Sequence, residues 1–557
     1  MTGRSLNHTP VEIHLLPWLA PFAAWSLGVL FVFHRVILSG FVQSPGGQGD
    51  ARLVNYTLEH GYRWLVGWTG HERFWDPPLF FPHSNVSAYT DVMLGLGPLY
   101  WCWRAIGMEP DTSFQIWTLL VWSLNFLVGY VFLRHCFSVL PLAGAMGAFL
   151  FAFGSSRSVN IGHPQLVPFI YIILCLFALF RFFEHSGHGD GRAKARGWLA
   201  CFFLAITLQF YTAFYNAFFF VLILAVAFMF ALFISEIRRK LWAALSVHFP
   251  VILIIAGISL LIMLPLISHY VMAVQEVEER SYRSAEQSIP RWCSWLLMGR
   301  RNVLFGWLQE SDSFSGPLAR AYHSNGVGFV TLALAVMGLI AARKKLPVRL
   351  IILTTVGTIL LTTMFPGGFT VWKFLYHFVP GAGALRTIGR IGTFLLIPAS
   401  VGISLYFQSL VIRRRWWVIA VLALLCCAEQ KQKSQSFSKI EVRERIAALS
   451  LHVDPACQAF YLASRNWRQP RFIHDDAAWV QIATGIPTVN GRYGNSPRDW
   501  DLKDTRSYRP KDRRRLQTAL KRWATAYGLD AQRVCWIELP LKKDRTLDPS
   551  SQLSGPD

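Results

Sequence analysis

Charge is scarce in this chain, and acidic charge scarcest. Asp and Glu number 32 among 557 residues, and charged residues of both signs make up 15%, whereas soluble domains carry roughly 25%. An ordinary soluble globule is thereby excluded. The nine cysteines show no paired metal-ligand spacing, and Cys102, Cys175, Cys201, Cys426 and Cys427 sit inside apolar stretches, where a thiol packs as a small hydrophobe. No cofactor is implied, and no residue pattern indicates a divalent metal. No glycine-rich nucleotide fingerprint and no internal repeat of the kind many transporters show is present. No small-residue cleavage site follows the first apolar run, which therefore reads as an uncleaved span.

Apolar residues fill the space that charge leaves: 53% of the chain is hydrophobic and 15% aromatic, with a mean hydropathy of +0.34. Runs such as Pro250–Pro265 and Trp416–Ala428 are too many for one soluble interior, so the bilayer is their solvent. Apolar windows and breakers place spans near 11–33, 112–133, 138–155, 164–183, 197–214, 216–235, 243–267, 326–342, 348–365, 391–411 and 416–428. Residues 91–107 are apolar but interrupted by Pro98, and read as a re-entrant or interfacial segment broken near its middle.

The formal net charge of +22 does not point to nucleic acid. Its clusters at Arg192–Arg196, Arg238–Lys240, Arg343–Lys345 and Arg413–Arg415 each lie between two apolar stretches, the pattern of cytoplasmic loops. With those loops inside, the N-terminus is inside as well, and 34–111, 268–325, 366–390 and the tail from Glu429 lie outside. The expected fold is mainly α: a polytopic membrane domain over 1–428 with about 11 spans, and a small α+β soluble domain over 429–557. In that tail, Ala478–Ala483 and Val534–Leu539 favour strands, Lys511–Tyr527 a helix, Asn490-Gly491 a turn, and the residues from Lys542 on disorder.

The stretch after the first span carries the most chemistry. Pro45-Gly46-Gly47-Gln48-Gly49 delivers the carboxylate of Asp50 to the exit of a membrane helix, and its glycines let the backbone approach a ligand. Asp50 suits a general base toward a hydroxyl, and it equally suits the N-cap of a helix starting at Ala51. On that helix Asn55, Glu59 and Arg63 share one face and Tyr56, His60 and Trp64 another, which fits a helix lying at the interface. Arg52, His60 or Arg63 can meet a phosphate. Arg157, His163 and Gln165 fall between two spans, where ionisable groups are costly without a purpose; donor contact competes there with snorkelling and capping. Arg386 and Arg390 stand four residues apart, on one face of any helix, and guanidinium forks match phosphate oxygens. Glu276, Glu278 and Glu279 read as a solvated helix face, and Asp475, Asp476, Asn490, Arg492 and Tyr493 as acceptor contacts or, more simply, as turns.

Several of these stretches resemble a known superfamily. The GDAR and EHGYRW runs from Gly49 and Glu59, FWDPPLFFPHSN at Phe74–Asn85, the Asp91 segment, GHPQL ending at Leu166, PGAGALRTIGR at Pro380–Arg390 and ATGIPTVNGRYGN at Ala483–Asn495 are similar to a poorly characterised bacterial branch of the GT-C membrane glycosyltransferases. The resemblance implies a sugar moved from a polyprenyl-phosphate-linked donor to a glycan, lipid or protein acceptor on the outer face of the bacterial inner membrane. It also implies Asp50 as the catalytic acidic residue, with Arg52, His60, Asp91, Arg157, His163, Gln165, Arg386 and Arg390 as donor-phosphate or substrate contacts. A flippase of lipid-linked sugars and a glycan polymerase or ligase remain the competing readings.

Overall fold

The computed structural model describes residues 16–186, 191–277, 281–311, 318, 320–465 and 472–539. Glu278 and Glu279, residues 11–15 of the first expected span and the tail from Lys542 lie outside them. The chain is mainly helical, and among the described residues every expected apolar window overlaps a helix. Among the described residues six helices are long and apolar enough to cross a membrane: Trp18–Leu38, Pro110–Cys136, Pro164–His185, Phe214–Phe233, Ser235–Glu276 and Ile388–Ile412. The apolar helices Phe329–Ala341, Leu346–Leu361 and Trp416–Glu429 are shorter.

The helix Ser235–Glu276 runs for 42 residues, about 63 Å at 1.5 Å per residue, so its ends must pass well beyond a hydrocarbon layer of about 30 Å. Leu253, Ile254 and Leu261 on it are 57%, 62% and 65% exposed. Water would penalise such a surface and lipid does not. Toward the interior the helices meet through small residues. A Cβ on Gly338 would lie 2.0 Å from the Gly402 carbonyl oxygen, so the helices carrying these two glycines touch backbone to backbone, as membrane helices do where small residues allow it.

The segment 91–107 does not span. It forms a single turn at Leu94–Leu96 and the short helix Pro98–Ala105, about 12 Å long. Pro98 stands at the start of that helix, where its missing N–H has no partner to lose, and so it initiates the helix instead of breaking it.

The last helix hands the chain back to the first loop. Gln43–Pro45 pairs antiparallel with Ser436–Ser438, and Gly46 N–H donates to the Gln435 carbonyl at 3.0 Å, so the approach to Asp50 is held between the two ends of the helical body. Beyond it, Ala459–Ser464 and Val534–Leu539 form a parallel pair in register from Ala459↔Val534 to Ser464↔Leu539, flanked by the helices Lys439–Ser450, Ile473–Thr484 and Pro510–Ala526. Cys457 and Cys535 form a disulfide with Cα atoms 5.8 Å apart. The expected strand Ala478–Ala483 is helix instead. Its apolar run is too short for periodicity to decide, and Asp475 and Asp476 in the first turn favour a helix N-terminus.

This C-terminal unit does not stand apart. Tyr56, Leu79, Phe80, Val86 and Tyr89 of the first long loop share one core with Tyr461, Trp500 and Trp523 of the unit. Glu276, expected on a solvated face, accepts from Tyr89 Oη at 3.1 Å and Asn85 Nδ2 at 3.2 Å, tying the end of the long helix to the same loop.

Candidate active site

The helix Asp50–Leu65 positions the site, and it is not a surface helix: eleven of its sixteen residues are buried. Its N-cap is Gly49, and no side chain caps it, so the Asp50 carboxylate is free for other partners. A Cβ on residue 49 would sit 2.7 Å from Arg492 Nη2. Glycine there admits the guanidinium, in place of the ligand approach read from the sequence.

Asp50 Oδ2 lies 2.5 Å from His163 Nδ1 and 3.3 Å from Gln165 Nε2, and Asp50 Oδ1 lies 3.6 Å from Arg492 Nη2. Burial alone would push the pKa of this carboxyl up, but His163, Arg492 and Arg390 outweigh it and hold Asp50 well below the usual carboxylate range. Asp91 faces the same electrostatic field. Burial pushes its carboxyl up to about 6 and repulsion from Asp50 adds to that, against the Phe214 N–H and Arg390. Its Oδ1 accepts from Phe214 N at 2.7 Å, capping the helix Phe214–Phe233.

Arg390 stacks over the Tyr215 ring at 4.7 Å and makes no ion pair among the described residues. Arg386 is exposed; its backbone N–H donates to Tyr215 Oη at 2.8 Å. The two arginines do not share a helix face. Ser288 Oγ donates to the Arg386 carbonyl and accepts from the Ile388 N–H, both at 2.8 Å, which draws the backbone out of the α-helical pattern before the 3-10 segment Ile388–Leu395.

The remaining expected contacts lie elsewhere. Arg52 is committed to Asp476 at 2.6 Å, with side-chain exposures of 4% and 6%, and reaches the Asp475 carbonyl at 3.4 Å. Asp476 also takes Arg445, with two bonds of 3.0 Å, while Arg492 pairs with Asp475. Burial pushes Asp475 up to about 6 in spite of Arg492 and Arg52. The acidic pair thus clamps the C-terminal unit onto the start of the Asp50 helix. His60, ten residues or about 15 Å along that helix, is fully buried between His71 at 2.8 Å and the Phe74 carbonyl at 2.9 Å; burial lowers it to about 4. Arg157 is buried between the Phe151 and Phe169 rings and donates to the carbonyls of Phe151 at 3.0 Å and Val167 at 2.5 Å.

Asp50, His163, Gln165 and Arg492 therefore converge, with Arg390 and Asp91 within electrostatic reach. Arg492 as a partner of Asp50 and Tyr215 as the platform for Arg390 were not read from the sequence, since no local pattern signals contacts so distant along the chain. No group of three or more His, Cys, Asp or Glu side chains able to hold a metal is found among the described residues.

No family model matches the chain, and no curated protein sequence matches it. Its fold is nevertheless similar to that of solved structures of one archaeal membrane protein. It is similar to the oligosaccharyltransferase of Archaeoglobus fulgidus tethered through a disulfide to an acceptor peptide containing the NVT sequon, with a TM-score of 0.51 and 10% identity, over 91% of this chain and 68% of that one. The apo form of that protein gives 0.47 and 13%, covering 88% and 65%. The archaeal oligosaccharyltransferase AglB from the same organism, in complex with an inhibitory peptide and a dolichol-phosphate, gives 0.43 and 12%, covering 86% and 65%. The chain spans about two thirds of the length of these neighbours.

Proposed function

We propose that this chain is a GT-C-type glycosyltransferase of the bacterial inner membrane, moving a sugar from a polyprenyl-phosphate-linked donor to a glycan, lipid or protein acceptor on the outer face. The observation that carries the reading is the convergence of His163, Gln165 and Arg492 on Asp50, at the head of the helix that leaves the first apolar span. A lipid carrier fits the location, because it reaches such a site through the bilayer. About 11 spans over 1–428, with the basic clusters inside, put the loops 34–111, 268–325 and 366–390 and the domain 429–557 outside. The Cys457–Cys535 disulfide supports that orientation, since disulfides persist in oxidising compartments. Of the phosphate contacts implied by the sequence, Arg386 and Arg390 make no ion pair among the described residues, whereas Arg52 and Arg157 are committed to the fold.

Arg390→Ala and Arg386→Ala should therefore weaken donor use and leave folding intact. Loss of a charge-assisted phosphate contact costs about 1.5–3 kcal/mol, or roughly ten- to a hundredfold in binding, read as a raised KM for donor at unchanged thermal stability. Donor dependence identical to wild type in both variants removes the phosphate role.

A further inference from the structure

We propose that His163 is the catalytic residue that takes the acceptor's proton, with Asp50 orienting its imidazole through Nδ1. The proposal rests on the transferase reading above. Asp50 Oδ2 already accepts from Gln165 Nε2 at 3.3 Å and meets His163 Nδ1 at 2.5 Å, while Oδ1 faces Arg492. An ionised carboxylate only accepts hydrogen bonds, so Nδ1 carries the hydrogen, and in the neutral imidazole the lone pair then resides on Nε2. That nitrogen has no hydrogen-bond partner among the described residues, and the side chain is 42% exposed, so a hydroxyl has access to it.

Basicity separates the two groups. Arg492 and Arg390, which face Asp50 whatever the protonation of the imidazole, lower its basicity, and general-base efficiency falls with the acceptor's basicity. An imidazole is intrinsically suited to exchange protons near neutrality. The charged groups around the dyad are Arg492 from the C-terminal unit, Arg390 from the 3-10 segment Ile388–Leu395, and Asp91. Gln435, beside Gly162, is neutral and is engaged by Arg301. The Asp50 carboxylate fixes the tautomer and orientation of the imidazole, as in other carboxylate–histidine pairs. In the step, the acceptor O–H bond breaks and its proton passes to His163 Nε2. The acceptor oxygen bonds to the anomeric carbon, and the bond from that carbon to the phosphate oxygen breaks, its electron pair leaving with polyprenyl phosphate. The proton then passes from Nε2 to water.

The test uses the full chain in membranes, with total lipid extract from cells lacking the gene as donor source, and follows release of polyprenyl phosphate against pH. His163→Asn keeps an N–H donor near Nδ1 but removes Nε2, and His163→Gln is the second variant if the first folds poorly. Both are expected to lose roughly 10²–10⁴-fold in rate at every pH followed. An Asp50→Asn/His163→Asn double variant should be no slower than the worse single one. Folded His163 variants that retain the wild-type rate, or additive losses in the double variant, overturn the proposal and leave Asp50 as the base. A folded wild-type chain that releases no polyprenyl phosphate from the extract overturns the transferase reading and the proposal together.

Discussion

Asp50→Asn is expected to abolish transfer, with a loss of roughly 10²–10⁴-fold, while membrane insertion and expression stay at wild-type levels. The substitution is nearly isosteric, and the helix start does not depend on it, because Gly49 is the N-cap and no side chain caps. An amide oxygen still accepts from His163 Nδ1. It carries no charge to support an imidazolium, and at neutral pH it takes no proton itself, so both mechanisms for the site predict the same inactive, folded protein. Asp50→Ala should match it. Glu59→Gln on the same helix serves poorly as a control: Glu59 is fully buried and bonds Arg63 at 3.0 Å, Arg104 at 2.7 Å and Tyr100 at 2.9 Å. The measurement is glycan product per unit of protein, beside the thermal stability of each variant in detergent.

The second large effect is expected at Asp476, and it should be structural. Asp476→Ala strips the partner from Arg52, whose side chain is 4% exposed, and removes both bonds to Arg445. Breaking a buried pair by removing one member costs about 3–5 kcal/mol, because the other charge stays buried. Protease sensitivity within 439–539 and a lowered melting temperature should report the loosened unit. Replacing Arg52 with Met in the Asp476→Ala background should recover part of the loss, as removal of the stranded charge requires. A single Asp476→Ala variant as stable as wild type would show that the clamp contributes little to docking.

The sequence yielded the elements whose signals are local. Apolar windows of span length marked the helices, the strand Val534–Leu539 and the helix Pro510–Ala526 were visible in pattern, and Asp50 stood out by following a glycine-rich exit from an apolar run. Contacts made across the fold were not visible. Arg157 looks from its flanks like a residue at a loop, yet Phe151 and Phe169 enclose it; no spacing rule foretells that enclosure. Arg386 and Arg390 have helical spacing, and the Ser288 and Tyr215 hydroxyls, from about a hundred residues or more away, take the backbone groups a helix would have used. Arg52 and Asp476 are 424 residues apart, so their pairing belongs to the docking of the tail and to no local motif.

On the proposed reading, this protein consumes a lipid-linked sugar and does not merely carry it across the bilayer. The most direct measurement follows the fate of a labelled polyprenyl-phosphate-linked sugar in membranes containing the wild-type chain, separating intact donor, free polyprenyl phosphate and glycosylated product. Free polyprenyl phosphate and labelled product are expected in equal amounts, and neither in membranes carrying Asp50→Asn. Donor that changes leaflet yet remains intact, equally in wild type and Asp50→Asn, would contradict that reading.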